Sequence, residues 1–262
     1  MLVALLELVI APALVGAATL AARRWGEAIG GLVSAFPAIV GPVLLIAAHE
    51  HGSAFAAKTA SGTLLGLVAL SGFALAYGRT AVRAGWRASL AAGWATAAAI
   101  AVVLGSVKAG PLAGLAAATL TLLAARRALP SGSAATRARN PARPPRWDLA
   151  LRMVLTAVLV VSLTAAASRL GPVVGGVLAA LPTLASILAV FTHEQHGAQA
   201  VVFLLRGMLS GMAGFVAFCA VVAVLVDRAG VGATFTVAAL AAICVQAATA
   251  LAASRSPLPG SA

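Results

Sequence analysis

The chain has 262 residues, of which 62% are hydrophobic and 9% charged, with 18 Lys and Arg against 6 Asp and Glu and a net charge of +12. A soluble chain of this size carries about 25% charged residues to wet its surface, so the composition excludes a soluble globular domain and intrinsic disorder, and makes lipid the main solvent. The positive surplus does not mark a nucleic-acid partner, because the basic residues lie between apolar runs and form no stripe interleaved with aromatics.

A bilayer core takes about 17–25 apolar residues per helix. Five such segments run from Leu2 to Ala22, Ala28 to Ala48, Phe55 to Tyr77, Ala88 to Val107 and Pro111 to Ala125. Four more run from Leu149 to Ser168, Pro172 to Thr192, Ala200 to Val226 and Gly232 to Ala253. The first has no basic stretch ahead of it, carries Glu7, and is followed by Arg23 and Arg24, so it reads as a retained helix rather than a signal peptide. The fifth is the shortest and ends at Arg126 and Arg127. Between it and the sixth lies the one loop-like stretch, Pro130 to Trp147, rich in Pro, Ser and Arg. Cys219 and Cys244 both fall in apolar runs and give no disulfide framework.

Nine crossings place 14 basic residues on one side of the membrane and 4 on the other (Lys58, Lys108, Arg169 and Arg228). The positive-inside rule makes the first side cytoplasmic, with the amino terminus outside and the carboxyl terminus inside. Without the fifth crossing the split would be 11 to 7, so the charge bias supports nine helices. Trp25, Trp86 and Trp147 fall on the same cytoplasmic side, where indoles favour the headgroup layer.

Shifted by 145 residues without a gap, the sequence matches itself. Arg24 falls on Arg169, Gly30 and Gly31 on Gly175 and Gly176, and Pro37 on Pro182. His51-Gly52 likewise meets His196-Gly197, Gly62 and Gly66 meet Gly207 and Gly211, and Arg83-Ala84-Gly85 meets Arg228-Ala229-Gly230. Alanine-rich chance does not align Gly, Pro, Arg and His in one register. Five crossings separate equivalent points, so the second copy is inverted in the membrane relative to the first, an arrangement shared by many secondary transporters.

The expected fold is therefore an all-α integral membrane protein of about nine transmembrane helices, two four-helix repeats in inverted topology joined by a linking helix. Residues 1–108 form the first repeat, 109–147 the linking helix and cytoplasmic loop, 148–254 the second repeat and 255–262 a short tail.

The stretch from Arg169 through Gly175-Gly176-Val177-Leu178-Ala179-Ala180-Leu181-Pro182-Thr183 to Glu194 and Gly197 resembles the small GlpM-type bacterial inner-membrane proteins. In that family a Gly- and Pro-containing segment opens the second of four helices and a Glu-containing turn closes it. The resemblance covers roughly 100 residues in each half. It implies a multi-pass inner-membrane protein, here a tandem fusion, and transfers no catalytic residue.

Two segments carry the most unusual chemistry. Pro37 and Pro182 each lie within an apolar run, where proline removes an amide donor and clashes with the carbonyl four residues back. In lipid the freed carbonyls need partners. One reading is a central substrate site between two broken helices, formed by Gly30, Gly31, Ser34 and Pro37 with Gly175, Gly176, Pro182, Thr183 and Ser186. The other is that these residues only permit bending and close packing. Glu7, two turns into the first helix, is the single candidate for a proton- or cation-sensitive group, against the alternative that it reaches the nearby interface.

The Gly-x3-Gly pairs read as helix-packing faces, with homo-oligomer formation as a further use. All four histidines lie in His49-Glu50-His51 and His193-Glu194-Gln195-His196, which the inverted topology puts on opposite sides, roughly 30 Å apart. They cannot share a metal or haem, so no cofactor and no metal are expected. With 6 acidic residues and no Ser/His/Asp set at one depth, no enzyme is expected either. The function read from the sequence is a small transporter or permease for a small-molecule or ion substrate that is small, weakly polar, or held by backbone. The alternative is a non-catalytic scaffold or accessory subunit of a cell-envelope system.

Overall fold

The computed structural model describes residues 2–105, 110–130, 147–169 and 182–255, with side chains described over 8–105, 110–130, 147–162 and 182–251. The described residues fold into helices alone. In chain order these are α1 (Leu2–Trp25), α2 (Glu27–Ser34), α3 (Val40–His51), α4 (Ser53–Ala81), α5 (Trp86–Gly105), α6 (Pro111–Ala128), α7 (Asp148–Arg169), α8 (Thr183–His196), α9 (Ala198–Ala229) and α10 (Val231–Arg255). Five of them (α1, α4, α5, α9 and α10) contain stretches long and apolar enough to cross a membrane, which fits the all-α membrane class.

The second apolar segment is not one helix. α2 stops at Ser34 and α3 starts at Val40, with Pro37 in the gap, as the missing amide of a mid-span proline predicts. Pro182 stands just before the first residue of α8. α6 begins with a proline at its first position, where no donor is lost, and runs on through Arg126 and Arg127.

α9, with 32 residues, is the central strut, packed against α2, α4, α6, α8 and α10. Its buried side chains, Val201, Leu205, Leu209, Met212, Cys219 and Val222 among them, meet Phe73 and Tyr77 of α4 in one apolar core. α1 packs on α2 and α7, and α5 on α4 and α8. α6 lies beside α4 and points the same way, since Gly114 approaches Ser61 and Leu64 near one end while Arg79 donates to the Ala128 carbonyl at the other.

Seven hydroxyls inside the helices are satisfied locally. Thr19, Ser61, Ser71, Thr96, Thr121, Thr156 and Ser210 each donate to the carbonyl four residues back, which removes an unpaired polar group from apolar surroundings.

Four connections are a single glycine of positive φ, among them Gly26 between α1 and α2 and Gly230 between α9 and α10. Gly52 (φ 87°) joins α3 to α4 and Gly197 (φ 86°) joins α8 to α9, both in a backbone region that side chains with a Cβ rarely enter.

Candidate functional site

The break at Pro37 is built from short local bonds and one long-range partner. Ser34 Oγ donates to the Gly31 carbonyl at 2.6 Å, and the Ala35 and Phe36 amides turn back to Leu32 and Val33 at 3.4 and 3.2 Å. The Leu32 carbonyl also accepts from Gln246 Nε2 at 2.7 Å, 214 residues along the chain. Gln246, on α10, is 8% exposed and reaches this carbonyl past Gly211, where an added Cβ would lie 2.6 Å from the Leu32 oxygen.

Pro182, at the start of α8, has a parallel arrangement. Its carbonyl accepts the Ser186 amide at 2.8 Å and the Ser186 hydroxyl at 2.7 Å, and Trp94 Nε1 of α5 donates to that hydroxyl at 2.8 Å. Thus a residue of the first half, Trp94, bonds the start of α8 in the second, while Gln246 of the second supports the break in the first.

The other expected site residues are placed as follows. Gly30 and Gly31 are buried, Gly30 against Ala18 and Ala22 of α1 and Gly31 against the Leu204 carbonyl of α9. Pro37 and Pro182 are buried, Ser34 and Thr183 half-buried, and Ser186 buried. Gly175 and Gly176 lie outside the described residues, as does the side chain of Glu7.

A second polar centre lies where the ends of α1, α2, α7 and α8 meet. Asp148 Oδ2 accepts Arg23 Nη2 at 2.6 Å and Arg152 Nε at 2.9 Å, and Gln195 Nε2 donates to its other oxygen. Arg152 also donates to Gln195 Oε1 at 2.8 Å and lies over the Phe191 ring at 4.7 Å. Beside this knot Glu27 Oε1 is 3.0 Å from His196 Nδ1, and its Oε2 accepts the Thr192 hydroxyl at 3.5 Å. Together with Thr19 these residues line a pocket of about 10 Å³, room for about one water molecule.

Asp148 stands one residue outside the apolar run that starts at Leu149. Burial pushes its carboxyl up, but the Gln195 bond and the Arg152 and Arg23 guanidiniums outweigh that and hold it below the ordinary carboxylate value. His193, just past the run ending at Thr192, is held below the ordinary histidine value by burial, against the opposing charge of Glu194. Its Nδ1 is 3.4 Å from the Tyr77 hydroxyl.

Sequence reasoning did not single out this knot or Trp94. The i, i+4 pair Asp148 and Arg152 was a readable signal, and the topology already put Arg23, Glu27, Asp148, Arg152 and the His193 to His196 turn on one side of the membrane. Among the described residues no group of three His, Cys, Asp or Glu is placed to hold a metal ion.

No family model matches the chain, and neither a curated protein nor a solved structure matches it.

Proposed function

We propose that the protein is a small transporter or permease of the cytoplasmic membrane, built from two four-helix units in inverted topology that resemble GlpM-type proteins, with its substrate path between the helices broken at Pro37 and Pro182. The observation that carries this reading is the exchange of partners beside Pro37 and Pro182. Gln246 of the second half bonds the Leu32 carbonyl of the first, and Trp94 of the first bonds Ser186 of the second. Groups of this kind, held at mid-depth on opposing halves, are what a small, weakly polar solute would meet.

Helix ends support the repeat. α3 and α8 end at His51 and His196, α4 and α9 start at Ser53 and Ala198, and α5 and α10 start at Trp86 and Val231, each pair 145 residues apart. The glycine joints at Gly52 and Gly197 have φ values within a degree of each other.

Contacts between segments support nine crossings with the amino terminus outside. Arg23 with Asp148, Glu27 with His196, Tyr77 with His193, Arg79 with Ala128, and Arg206 with the Leu129 and Pro130 carbonyls all join residues that this topology assigns to the cytoplasmic side. The parallel course of α6 and α4 supports the fifth crossing.

A scaffold role is favoured by a different observation: Gly30 and Gly31 are occupied by packing against α1 and α9, which leaves no room for a ligand against them in this conformation. Flux separates the two readings. Purified protein in liposomes is expected to move at least one member of a panel of small labelled solutes, and the Pro37→Ala, Pro182→Ala double variant to move it at a much lower rate while remaining folded. Unchanged flux in the double variant would remove the broken-helix site, and no flux across the panel would favour the scaffold.

A further inference from the structure

The arginines differ in what holds them. Arg23 and Arg152 are spent on Asp148, and Arg206 donates to the Leu129 and Pro130 carbonyls at 2.9 and 3.0 Å. Arg79, Arg83, Arg87, Arg126 and Arg127 are exposed, and among the described residues none of the five meets a carboxylate. Their own stretch of chain supplies none, since no Asp or Glu stands between Glu50 and Asp148.

These five come from three helix ends that the fold brings together. Arg79 lies in the last turn of α4, and Arg83 lies in the turn that follows, where its amide and that of Ala84 bond the Thr80 carbonyl at 2.9 Å. α5 opens with Trp86 and Arg87, the guanidinium 5.2 Å from the indole centroid. α6 ends beside them, because Arg79 Nε donates to the Ala128 carbonyl at 3.2 Å and the missing side chain of Gly78 makes room for Leu129. Arg79 and Arg206 thus satisfy carbonyls where α6 ends, and the exposed guanidiniums of Arg126 and Arg127 are not needed there.

An apolar surface leads to this cluster. Leu112, Leu120 and Leu123 of α6 are 72%, 68% and 40% exposed, and Arg127 follows Leu123 by one turn on the same face. Like charges one turn apart repel, so a cluster without a counter-charge inside the protein calls for one outside. Orienting the helices requires the arginines only to share a side of the membrane; it does not gather them at the foot of one leucine face. The α9–α10 connection, 145 residues on, shows the difference: Val224 and Gly232 stand in place of Arg79 and Arg87, and Asp227 adjoins Arg228.

We propose that the adjoining ends of α4, α5 and α6 bind an anionic phospholipid, its phosphate among the arginines and an acyl chain along the Leu120 and Leu123 face of α6. Guanidinium forks match phosphate oxygens, and the Trp86 indole suits the headgroup layer. The acyl contact rests on the α6 crossing proposed above, whereas the basic cluster and the transport reading are independent of each other. Failure of that crossing is read separately, from the sides on which residues 110 and 140 lie.

The test is native mass spectrometry of the full chain in detergent, titrated with phosphatidylglycerol or with phosphatidylcholine of the same acyl chains. Phosphatidylglycerol is expected to bind about tenfold more tightly, or better. A surface arginine contributes about fivefold to anionic-lipid binding, so Arg126→Gln, Arg127→Gln together are expected to weaken it by roughly 25-fold. Arg83→Gln, Arg87→Gln is the second variant, on a separate segment, and is expected to lose a similar factor because both segments feed one site. Lys58→Gln, Arg228→Gln removes equal charge at the far ends of α4 and α9 and is expected to leave the affinity unchanged. Inorganic phosphate in large excess is expected not to displace the lipid. Equal binding of the two lipids, the same loss in the Lys58→Gln, Arg228→Gln control as in the arginine variants, or displacement by phosphate alone would overturn the proposal.

Discussion

The two halves of the chain are joined in two places by opposite means. Where α2 lies on α9, the join is made of absent side chains. A Cβ on Gly31 would fall on the Leu204 carbonyl, and one on Gly207 would fall on the Ala28 carbonyl, so the two backbones touch directly. At the junction of α1, α2, α7 and α8 the join is made of charge, with Arg23 and Glu27 reaching to Asp148 and His196. The first contact has no titratable or screened component, and it works in lipid because small residues let dispersion act at short range. The second depends on protonation and partly on salt, since Arg23 is about one-third exposed.

The sharpest way to break the contrast is at the glycines. Gly207→Val or Gly31→Val forces a side chain into a neighbouring carbonyl, and overpacking against backbone costs about 3 kcal/mol or more. Loss of monodisperse protein in gel filtration is expected at every pH and salt concentration.

The next effect belongs to the ionic join. Asp148→Asn leaves Arg152 buried beside a neutral amide. Removing one partner of a buried pair costs several kcal/mol, and the exposure of Arg23 reduces this to about 2 kcal/mol. A thermal midpoint several degrees lower is expected.

Gln246→Leu, which leaves the Leu32 carbonyl only the Ala35 amide at 3.4 Å, is expected to cost about 1 kcal/mol in the same thermal assay. A cost near zero would mean that another group takes over that carbonyl.

The smallest effect is acid sensitivity. The Asp148 carboxyl is held below its ordinary value of 3.8, so its contribution is fully present above that pH and is lost as pH falls through the lowered folded value. The midpoint of the parent should therefore drop more steeply below about pH 4 than that of Asp148→Asn, while the α2–α9 contact contributes nothing to the difference.

Much of the architecture was legible in the sequence because lipid enforces strong rules. Backbone groups in an apolar solvent must pair within a helix, so the apolar runs foretold helices, and a proline without its donor foretold the break between α2 and α3. Gly52 and Gly197, matched in the repeat register, stand at two joints of positive φ, which the match alone did not announce.

The charged knot was less legible, because pairing between Arg23 and Asp148 spans 125 residues and follows from the order in which helices pack. Hydropathy ranks Arg152 only as a charge near a helix end, whereas its partners Asp148 and Gln195 make it a buried structural residue. Trp94 was hidden for the opposite reason: an indole in an apolar run looks like core, and only the fold shows its N–H on Ser186. Gln246, a lone amide in the last apolar run, lies against the Leu32 carbonyl, a partner 214 residues away that only the fold brings close.

The central claim is that the halves are inverted, and it requires α6 to cross the membrane. Reporter fusions near residues 110 and 140 test it directly. Opposite sides are predicted, with 110 outside and 140 in the cytoplasm; both reporters on one side would remove the fifth crossing and the inverted repeat with it.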